Sequence, residues 1–293
     1  MTTTSKISAT GLGFALITTI AWGLNWPVTK YVLAQWPPLS ARGLTGVVGA
    51  LALAIYAVAR GISLHVPRDQ WFRVCVSAAL NVSLWMAVMG VALVFLPASE
   101  ATVIAYTMPV WTALLAWPLL GERLTLMRIA ALVMAFAGLV LLLGGNEMAA
   151  SLAKLPGVLL ALLGAIGFAL GTIFLKKWPI QLPGATSAAW QIGIGCLPVA
   201  LAGVVFERPD VAALDAGGWA ALIYMTFVQF CIAYVAWFAA LERLPASVAA
   251  ITTILVPVIG VTVSAFALGE PLGPAKVAAL VLTVAGVALA ARA

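Results

Sequence analysis

An internal repeat limits what this chain can fold into more than any other feature of its sequence. Several short motifs occur twice, and the two copies are always 148 residues apart. They are Leu-Pro-Ala-Ser at 96–99 and 244–247, a proline at 109 and 257, Gly-Glu at 121–122 and 269–270, and Ala-Ala-Leu at 130–132 and 278–280. A constant separation without a gap indicates a duplicated structural unit. We therefore expect two units, residues 1–148 and residues 149–293.

The composition makes the lipid bilayer the solvent of both units. The chain has 293 residues, of which 64% are hydrophobic and 8% are charged. A soluble domain has about a quarter of its residues charged, so this chain cannot cover its surface for water. The net charge of +6 comes from basic residues scattered between apolar runs, so we expect no nucleic-acid partner. The three cysteines fall within apolar runs without metal-ligand spacing, and we expect no metal and no cofactor.

Apolar runs long enough to cross a bilayer recur along the whole chain. A transmembrane helix needs about 20 mainly apolar residues, and breaks at proline, glycine and charge clusters separate ten such runs. The predicted helices are 11–33, 40–60, 71–95, 98–120, 126–145, 155–177, 184–206, 217–240, 245–268 and 274–292. The first run is too long for the core of a cleavable signal peptide, so we expect it to be retained. The predicted fold class is all-α integral membrane, with five helices in each unit.

The distribution of lysine and arginine predicts how these helices cross the membrane. With the N-terminus in the cytoplasm, ten of the fifteen basic residues fall on the inner side: Lys6, Arg60, Arg68, Arg73, Arg123, Arg128, Lys176, Lys177, Arg243 and Arg292. The outer side carries Lys30, Arg42, Lys154, Arg208 and Lys276. This excess favours both termini in the cytoplasm. Because each unit has an odd number of helices, we expect the second unit to be inverted, with Glu122 at the inner face and Glu270 at the outer face.

Ionisable side chains are absent from the middle third of every predicted helix. The sequence therefore predicts a central cavity without fixed charge. The nearest carboxylate is Glu100, at the outer start of the fourth predicted helix. It either complements the dipole of that helix or acts as a gate or proton site.

Three prolines within apolar runs are candidate hinges. Pro27, Pro109 and Pro257 each remove one helical hydrogen bond and displace the carbonyl four residues earlier. These carbonyls belong to Gly23, Ala105 and Thr253. An unpaired carbonyl at membrane depth is tolerated where it is buried in protein or faces a wet cavity. The prolines are therefore either plain kinks or places where a substrate ammonium binds.

Polar and aromatic side chains share faces of several predicted helices and are candidates for lining a substrate cavity. In the first helix they recur at spacings of three and four residues, which places them on one face. Uncharged amides and hydroxyls prefer the interior of a membrane bundle, where they either line a cavity or hold helices together. The candidates are Trp22, Asn25, Trp26, Asn81, Trp85, Tyr106, Phe168, Thr172, Gln229 and Tyr234. Glycines at 43, 46 and 49 and at 167 and 171 should allow close approach of helices.

These features resemble the EamA-type branch of the drug/metabolite transporter superfamily. The resemblance covers nearly the whole chain and rests on Pro-Ala-Ser, proline and Gly-Glu at 97–99, 109 and 121–122, and again at 245–247, 257 and 269–270. Arg42 resembles the arginine of that family at the start of the second helix and is a second gate candidate, although its equivalent in the second unit is Trp190. The resemblance implies a transporter of the bacterial inner membrane. The abundance of tryptophan is most similar to the bacterial aromatic amino acid exporter branch.

The sequence thus predicts an exporter of small neutral or zwitterionic solutes, above all amino acids with aromatic or apolar side chains, with a broad range left open. Aromatic walls would receive the side chain, while amides and freed carbonyls would hold the charged ends. Alternating access of the two units around the uncharged cavity would move the substrate. The absence of a carboxylate at mid-membrane favours facilitated export over proton coupling. We expect a monomer, with a dimer as the alternative.

Other functions stay open, and they differ in the charged residues that each would require within or near the helices. Export of other metabolites or drugs is the nearest alternative, but a nucleotide-sugar or phosphate carrier should place basic residues within its helices. A cationic-drug exporter of the small multidrug kind should have a glutamate in its first helix, where this chain has Trp22 and Asn25. A membrane enzyme would need paired carboxylates, whereas Glu122 and Glu270 are expected on opposite faces. A non-transporting scaffold has no need for polar residues deep in both units.

Overall fold

The described part of the chain consists of helices joined by short connections. The computed structural model describes residues 8–122, 125–144, 148–244, 248 and 252–290, and no strand occurs among them. In chain order the helices are α1 Ala9–Leu33, α2 Pro38–Ala59, α3 Arg68–Phe95, α4 Ala98–Leu120, α5 Leu126–Gly144, α6 Met148–Lys177, α7 Gly184–Glu207, α8 Ala216–Leu241, α9 Leu255–Leu268 and α10 Pro274–Ala290. The predicted all-α class is confirmed.

Six of these helices are long and apolar enough to cross a membrane by length and composition, namely α2, α3, α4, α6, α7 and α8. Helices α5, α9 and α10 have shorter apolar stretches. The count of ten membrane-spanning helices stays a prediction. The second Pro-Ala-Ser motif at 245–247 and the basic residues Lys6, Arg123 and Arg292 lie outside the described residues.

The helices pack in pairs that recur between the two units. Helix α2 contacts α7, and α5 contacts α10, so equivalent helices of the two units face each other. Helix α1 packs on α8 and α9, and its equivalent α6 packs on α3 and α4. If each helix in these pairs is exchanged for its equivalent in the other unit, every pair becomes another pair of helices that are also in contact. This is the pattern of a pseudo-two-fold arrangement of the two units.

Glycines bring helices of the two units close together, as the sequence predicts. A Cβ atom added at Gly43 of α2 would lie 2.3 Å from the backbone nitrogen of Ala200 in α7. A Cβ added at Gly46 would lie 2.2 Å from Sγ of Cys196. Real Cβ atoms are not found so near to other heavy atoms. Helices α2 and α7 can therefore pack at this distance because positions 43 and 46 are both glycine.

Pro109 and Pro257 lie in the first turn of helical segments, which corrects the prediction that they lie inside helices. A turn at Tyr106 and Thr107 divides α4, and Pro109 is the second residue of the segment Met108–Leu120. Pro257 is the third residue of α9. Proline suits the first turn of a helix, where its missing N–H has no partner to lose. Of the three candidate prolines, Pro27 lies within a helix as predicted. Binding of a substrate ammonium by the carbonyls of Gly23, Ala105 and Thr253 stays a prediction.

We predict that Gly43→Ala disrupts the packing of α2 on α7. The added methyl group would meet the backbone of Ala200, which cannot move aside without displacing α7. We expect a loss of about 1–3 kcal/mol of stability, seen as a lower midpoint of thermal unfolding of the detergent-solubilised protein. Gly13→Ala is the matched control, because nothing lies within 4 Å of a Cβ at that helical position. Equal midpoints for the two variants would contradict close α2–α7 packing.

Candidate functional site

A cavity lies between the two units, formed by two adjoining spaces of about 580 Å³ and about 130 Å³. The structure brings all ten predicted lining side chains to this cavity. The larger space is lined by Trp22, Asn81, Phe168, Thr172 and Tyr234, and the smaller one by Trp22, Asn25, Trp26, Asn81, Trp85, Tyr106, Phe168, Gln229 and Tyr234. Contact of these residues with a substrate stays a prediction.

Aromatic rings form the apolar walls of the cavity in two connected groups. The ring centroids are separated by 5.7 Å for Trp22–Tyr234, 5.7 Å for Trp22–Trp237, 6.4 Å for Trp26–Trp85, 6.5 Å for Trp26–Tyr106 and 5.3 Å for Trp85–Phe168. These separations are typical of tilted and edge-to-face ring pairs. The walls can therefore accept another apolar or aromatic group in the same geometry.

Two of the lining amides lie on π-helical turns at equivalent places in the repeat. Asn81 lies on the turn Ala78–Ser83 within α3, and Gln229 lies on the turn Tyr224–Ile232 within α8. A π-turn interrupts the regular hydrogen bonding of an α-helix and occurs frequently at functional sites. The sequence predicted the two amides but gave no sign of the π-turns that carry them.

Three buried amide oxygens at the cavity have no hydrogen-bond partner within the protein. They belong to Asn25, Asn81 and Gln229. The orientation of the Asn81 amide is fixed, because its Nδ2 donates to Oγ of Ser77 at 3.3 Å and Ser77 itself donates to Gln191 at 2.6 Å. An unpaired buried acceptor is costly, so a donor that reached one of these oxygens would stabilise it.

Arg42 contributes a positive charge to the cavity, and the prediction of an uncharged cavity is wrong. Its side chain lines the smaller space and is only 4% exposed. Helix α2 begins at Pro38, so Arg42 lies in its second turn, near the helix start as predicted. The stem of the arginine passes Gly90, where an added Cβ would lie 3.2 Å from its Cγ. The guanidinium donates one long hydrogen bond, from Nη1 to Oγ1 of Thr29 at 3.4 Å.

The carboxylate of Glu270 binds the start of α4 at one end of the bundle. Glu270 accepts hydrogen bonds from the backbone nitrogens of Ala98 at 2.6 Å and Ser99 at 3.0 Å, and from the Ser99 hydroxyl. The N-terminus of a helix favours an anion, because its first N–H groups have no partner within the helix. Lys276 also donates to Oγ of Ser99 at 2.9 Å.

Glu100, the other gate candidate, belongs to the same end. It is buried and accepts from Nζ of Lys154 at 2.9 Å, which joins α4 to α6, while Nζ of Lys276 lies 4.0 Å away. The dipole of α4 is therefore satisfied by Glu270 and not by Glu100 alone. The paired Glu100 is placed to hold the helices together at this end.

A second ionic cluster lies at the other end of α6. Glu122 binds Arg128 at 2.8 Å and also binds Lys176, and the hydrogen bond from Lys176 is the main reason that the pKa of Glu122 is below its usual range. Lys154 and Lys176 are 22 residues apart on α6, which corresponds to ~33 Å at about 1.5 Å per residue. The cavity follows α6 from Phe168 to Leu175, towards the end that carries Lys176.

The sequence matches the EamA-like transporter family over residues 9–144 and 155–292. One matched range falls in each predicted unit. A crystal structure of another protein superposes on this fold with a TM-score of 0.69 at 22% identity, covering 97% of this chain and 98% of that one. At this identity the likeness shows the fold alone.

Several bacterial transporters are similar along almost their whole length. A probable amino-acid metabolite efflux pump of Salmonella typhimurium is 30% identical, covering 93% of this chain and 91% of the relative. The uncharacterized transporter YvbV of Bacillus subtilis is 31% identical, covering 92% and 88%. A probable terminal-alkyne amino-acid exporter of Streptantibioticus cattleyicolor is 27% identical, covering 94% and 91%.

We predict that Glu270→Gln weakens the closed end of the cavity. The amide is isosteric but uncharged, so its hydrogen bonds to the first turn of α4 lose their charge assistance. We expect a loss of about 1–3 kcal/mol, measured as a lower midpoint of thermal unfolding. Glu242→Gln is the control, because Glu242 is exposed and pairs with its neighbour Arg243. A midpoint for Glu270→Gln no lower than that of the control would refute this role for Glu270.

Proposed function

The chain belongs to the EamA-like transporter family and is a membrane transporter, and we propose that it exports small neutral or zwitterionic solutes, above all amino acids with aromatic or apolar side chains. The observation that carries this proposal is the cavity between the units, which combines aromatic walls with unpartnered amide oxygens. Relatives named as amino-acid metabolite efflux pumps and as an amino-acid exporter support the same class of substrate.

The proposed topology has ten membrane-spanning helices in two inverted units, with both termini in the cytoplasm of a bacterial inner membrane. The symmetric packing of α1 to α5 and α6 to α10 supports the duplication. The estimated ~33 Å between Lys154 and Lys176 is close to the thickness of a bilayer core, which supports placing the two ionic clusters at opposite faces. The excess of ten basic residues predicted on the inner side over five on the outer side supports cytoplasmic termini.

In the proposed mechanism the two units exchange conformations around the cavity. The end near Glu270 is held closed by the start of α4, whereas the cavity extends towards the end near Glu122. The chain can bend at two places, the turn at Tyr106 and Thr107 and the beginning of α9, because helical hydrogen bonding is interrupted there. Release of one end and closure of the other would carry a bound solute across the membrane.

The charge of the cavity counts against two alternatives. A cationic drug would be repelled by Arg42, because no acidic residue lines the two described spaces. A membrane enzyme that needs paired carboxylates is disfavoured, because no carboxylate lines the two described spaces of the cavity.

We predict that proteoliposomes containing the purified protein transport labelled phenylalanine, methionine or threonine. The aromatic walls should favour phenylalanine over threonine, since more apolar surface is buried. The measurement is counterflow of each labelled amino acid, with protein-free liposomes as the control and with and without a pH gradient. If monodisperse, folded protein moved none of the three, the amino-acid proposal would be wrong.

We predict that equivalent loop positions of the two units lie on opposite sides of the membrane. His65 and Ala213 are both exposed and are 148 residues apart. In a background in which Cys75, Cys196 and Cys231 are replaced by alanine, a membrane-impermeant maleimide should label Ala213→Cys in intact cells. It should label His65→Cys only after permeabilisation. Labelling of both positions from the same side would rule out the inverted repeat.

A further inference from the structure

We propose that Arg42 binds the carboxylate of the transported solute, so that a free carboxylate is a requirement for transport. This inference rests on the proposed export function and assigns the group that selects its substrate. It begins from an energetic problem, which is a guanidinium without a counter-ion in the interior of a membrane protein.

Arg42 is buried without charge compensation from the described residues. Its Nε atom has no hydrogen-bond partner, and its bond to Thr29 is long at 3.4 Å. No carboxylate of the described residues lies within 4.0 Å of it. A buried charge is normally paired, because removing an ion from water costs several kcal/mol. A guanidinium that the protein leaves unpaired next to a cavity is suited to bind an anionic group of a ligand.

The carboxylates at the starts of α2 and α4 are already engaged elsewhere. Glu207 accepts from the backbone nitrogens of Leu39 and Ser40 at the start of α2, at 3.0 and 2.7 Å, and from the Ser40 hydroxyl. Glu207 therefore caps the helix on which Arg42 lies, and it does not line the cavity. Glu100 and Glu270 are committed to the cluster at the start of α4. Neutralisation of Arg42 by any of these three carboxylates would break the contacts that it now makes.

The remaining polar groups of the cavity complement the other end of an amino acid. The oxygens of Asn25, Asn81 and Gln229 are acceptors without a donor, and the three residues that carry them line the same space as Arg42. An ammonium group has three donors and no acceptor, whereas a carboxylate can receive two parallel hydrogen bonds from a guanidinium. The cavity thus provides a cation for one end of a zwitterion and neutral acceptors for the other.

The second unit has no counterpart to this charge. Trp190 occupies the equivalent position, and its Nε1 donates to the carbonyl of Leu64 at 2.9 Å while its ring packs edge-on against Trp71. Arg42 therefore supplies one carboxylate site for the whole cavity.

The test compares four ligands that differ only in their charged ends, namely phenylalanine, phenylalanine amide, 3-phenylpropionate and phenethylamine. Their binding to the purified protein is followed by quenching of intrinsic tryptophan fluorescence, and their transport by competition with labelled phenylalanine. We expect phenylalanine and 3-phenylpropionate to bind and compete, and the amide and the amine to bind at least about tenfold more weakly. If the two ligands without a carboxylate bound as well as phenylalanine, the role of Arg42 would be refuted.

The matched variants are Arg42→Met, Arg42→Lys and Arg60→Met. Arg60 lies at the exposed end of the same helix, so its replacement should leave binding and transport unchanged. Arg42→Met should weaken phenylalanine binding by about 10- to 100-fold and abolish its preference over the amide, while Arg42→Lys keeps part of that preference. The midpoint of thermal unfolding of Arg42→Met should equal or exceed that of the wild type, because an unpaired buried charge is removed. A purely structural arginine would instead give a lower midpoint with an unchanged ligand preference.

The two proposals can fail separately. Transport of phenylalanine by Arg42→Met at the wild-type rate would overturn the carboxylate site while the export function stands. If the wild type transported no amino acid, carboxylate-dependent quenching that is lost in Arg42→Met would still support the site. Absence of both transport and carboxylate binding in folded protein would overturn both proposals.

Discussion

The cost of placing charge in hydrocarbon decides where the ionisable side chains of this fold lie. Most of those near the ends of the helices satisfy a partner that would otherwise be unpaired. Glu270 and Glu207 bind the free N–H groups at the starts of α4 and α2, and Lys30 donates to the carbonyls of Leu93 and Leu96 at the end of α3. These contacts join helices that are far apart in the chain. They fix the ends of the bundle and leave its middle to neutral side chains.

Against this background Arg42 is an exception. Its burial in the cavity removes it from water, and the chain supplies no carboxylate to it among the described residues. The surrounding groups are rings and amides, which surround a ligand without competing for the guanidinium. The same low dielectric that makes the unpaired charge costly makes its interaction with an anion stronger than it would be in water. Selection of the substrate and instability of the empty site thus have one physical origin.

The sequence predicted the helices and the residues of the cavity more completely than it predicted the positions and partners of the charged side chains. The repeat, the helical class and all ten lining residues followed from spacing and apolar patterns, because these depend on periodicity along a single helix. Arg42 was predicted at the outer start of the second helix, and the sequence could not show that its side chain is directed into the cavity, because this depends on how α2 packs against the other helices. Pro109 was placed within a helix because the turn at Tyr106 and Thr107 leaves no mark on composition. The contact of Glu270 with Ala98 joins residues 172 positions apart, and local patterns contain no information about it.

One departure from the duplication affects how the molecule rests between transport cycles. In the proposed exchange, two identical halves would make the inward-facing and outward-facing forms equal in free energy. Glu100 with Lys154 ties one end of the bundle together, whereas the residue equivalent to Glu100 in the second unit is Val248, which cannot form an ion pair. In that scheme the ion pair would bias the idle protein towards keeping the Glu100 end shut. Such a bias would limit leakage of solutes when no substrate is bound.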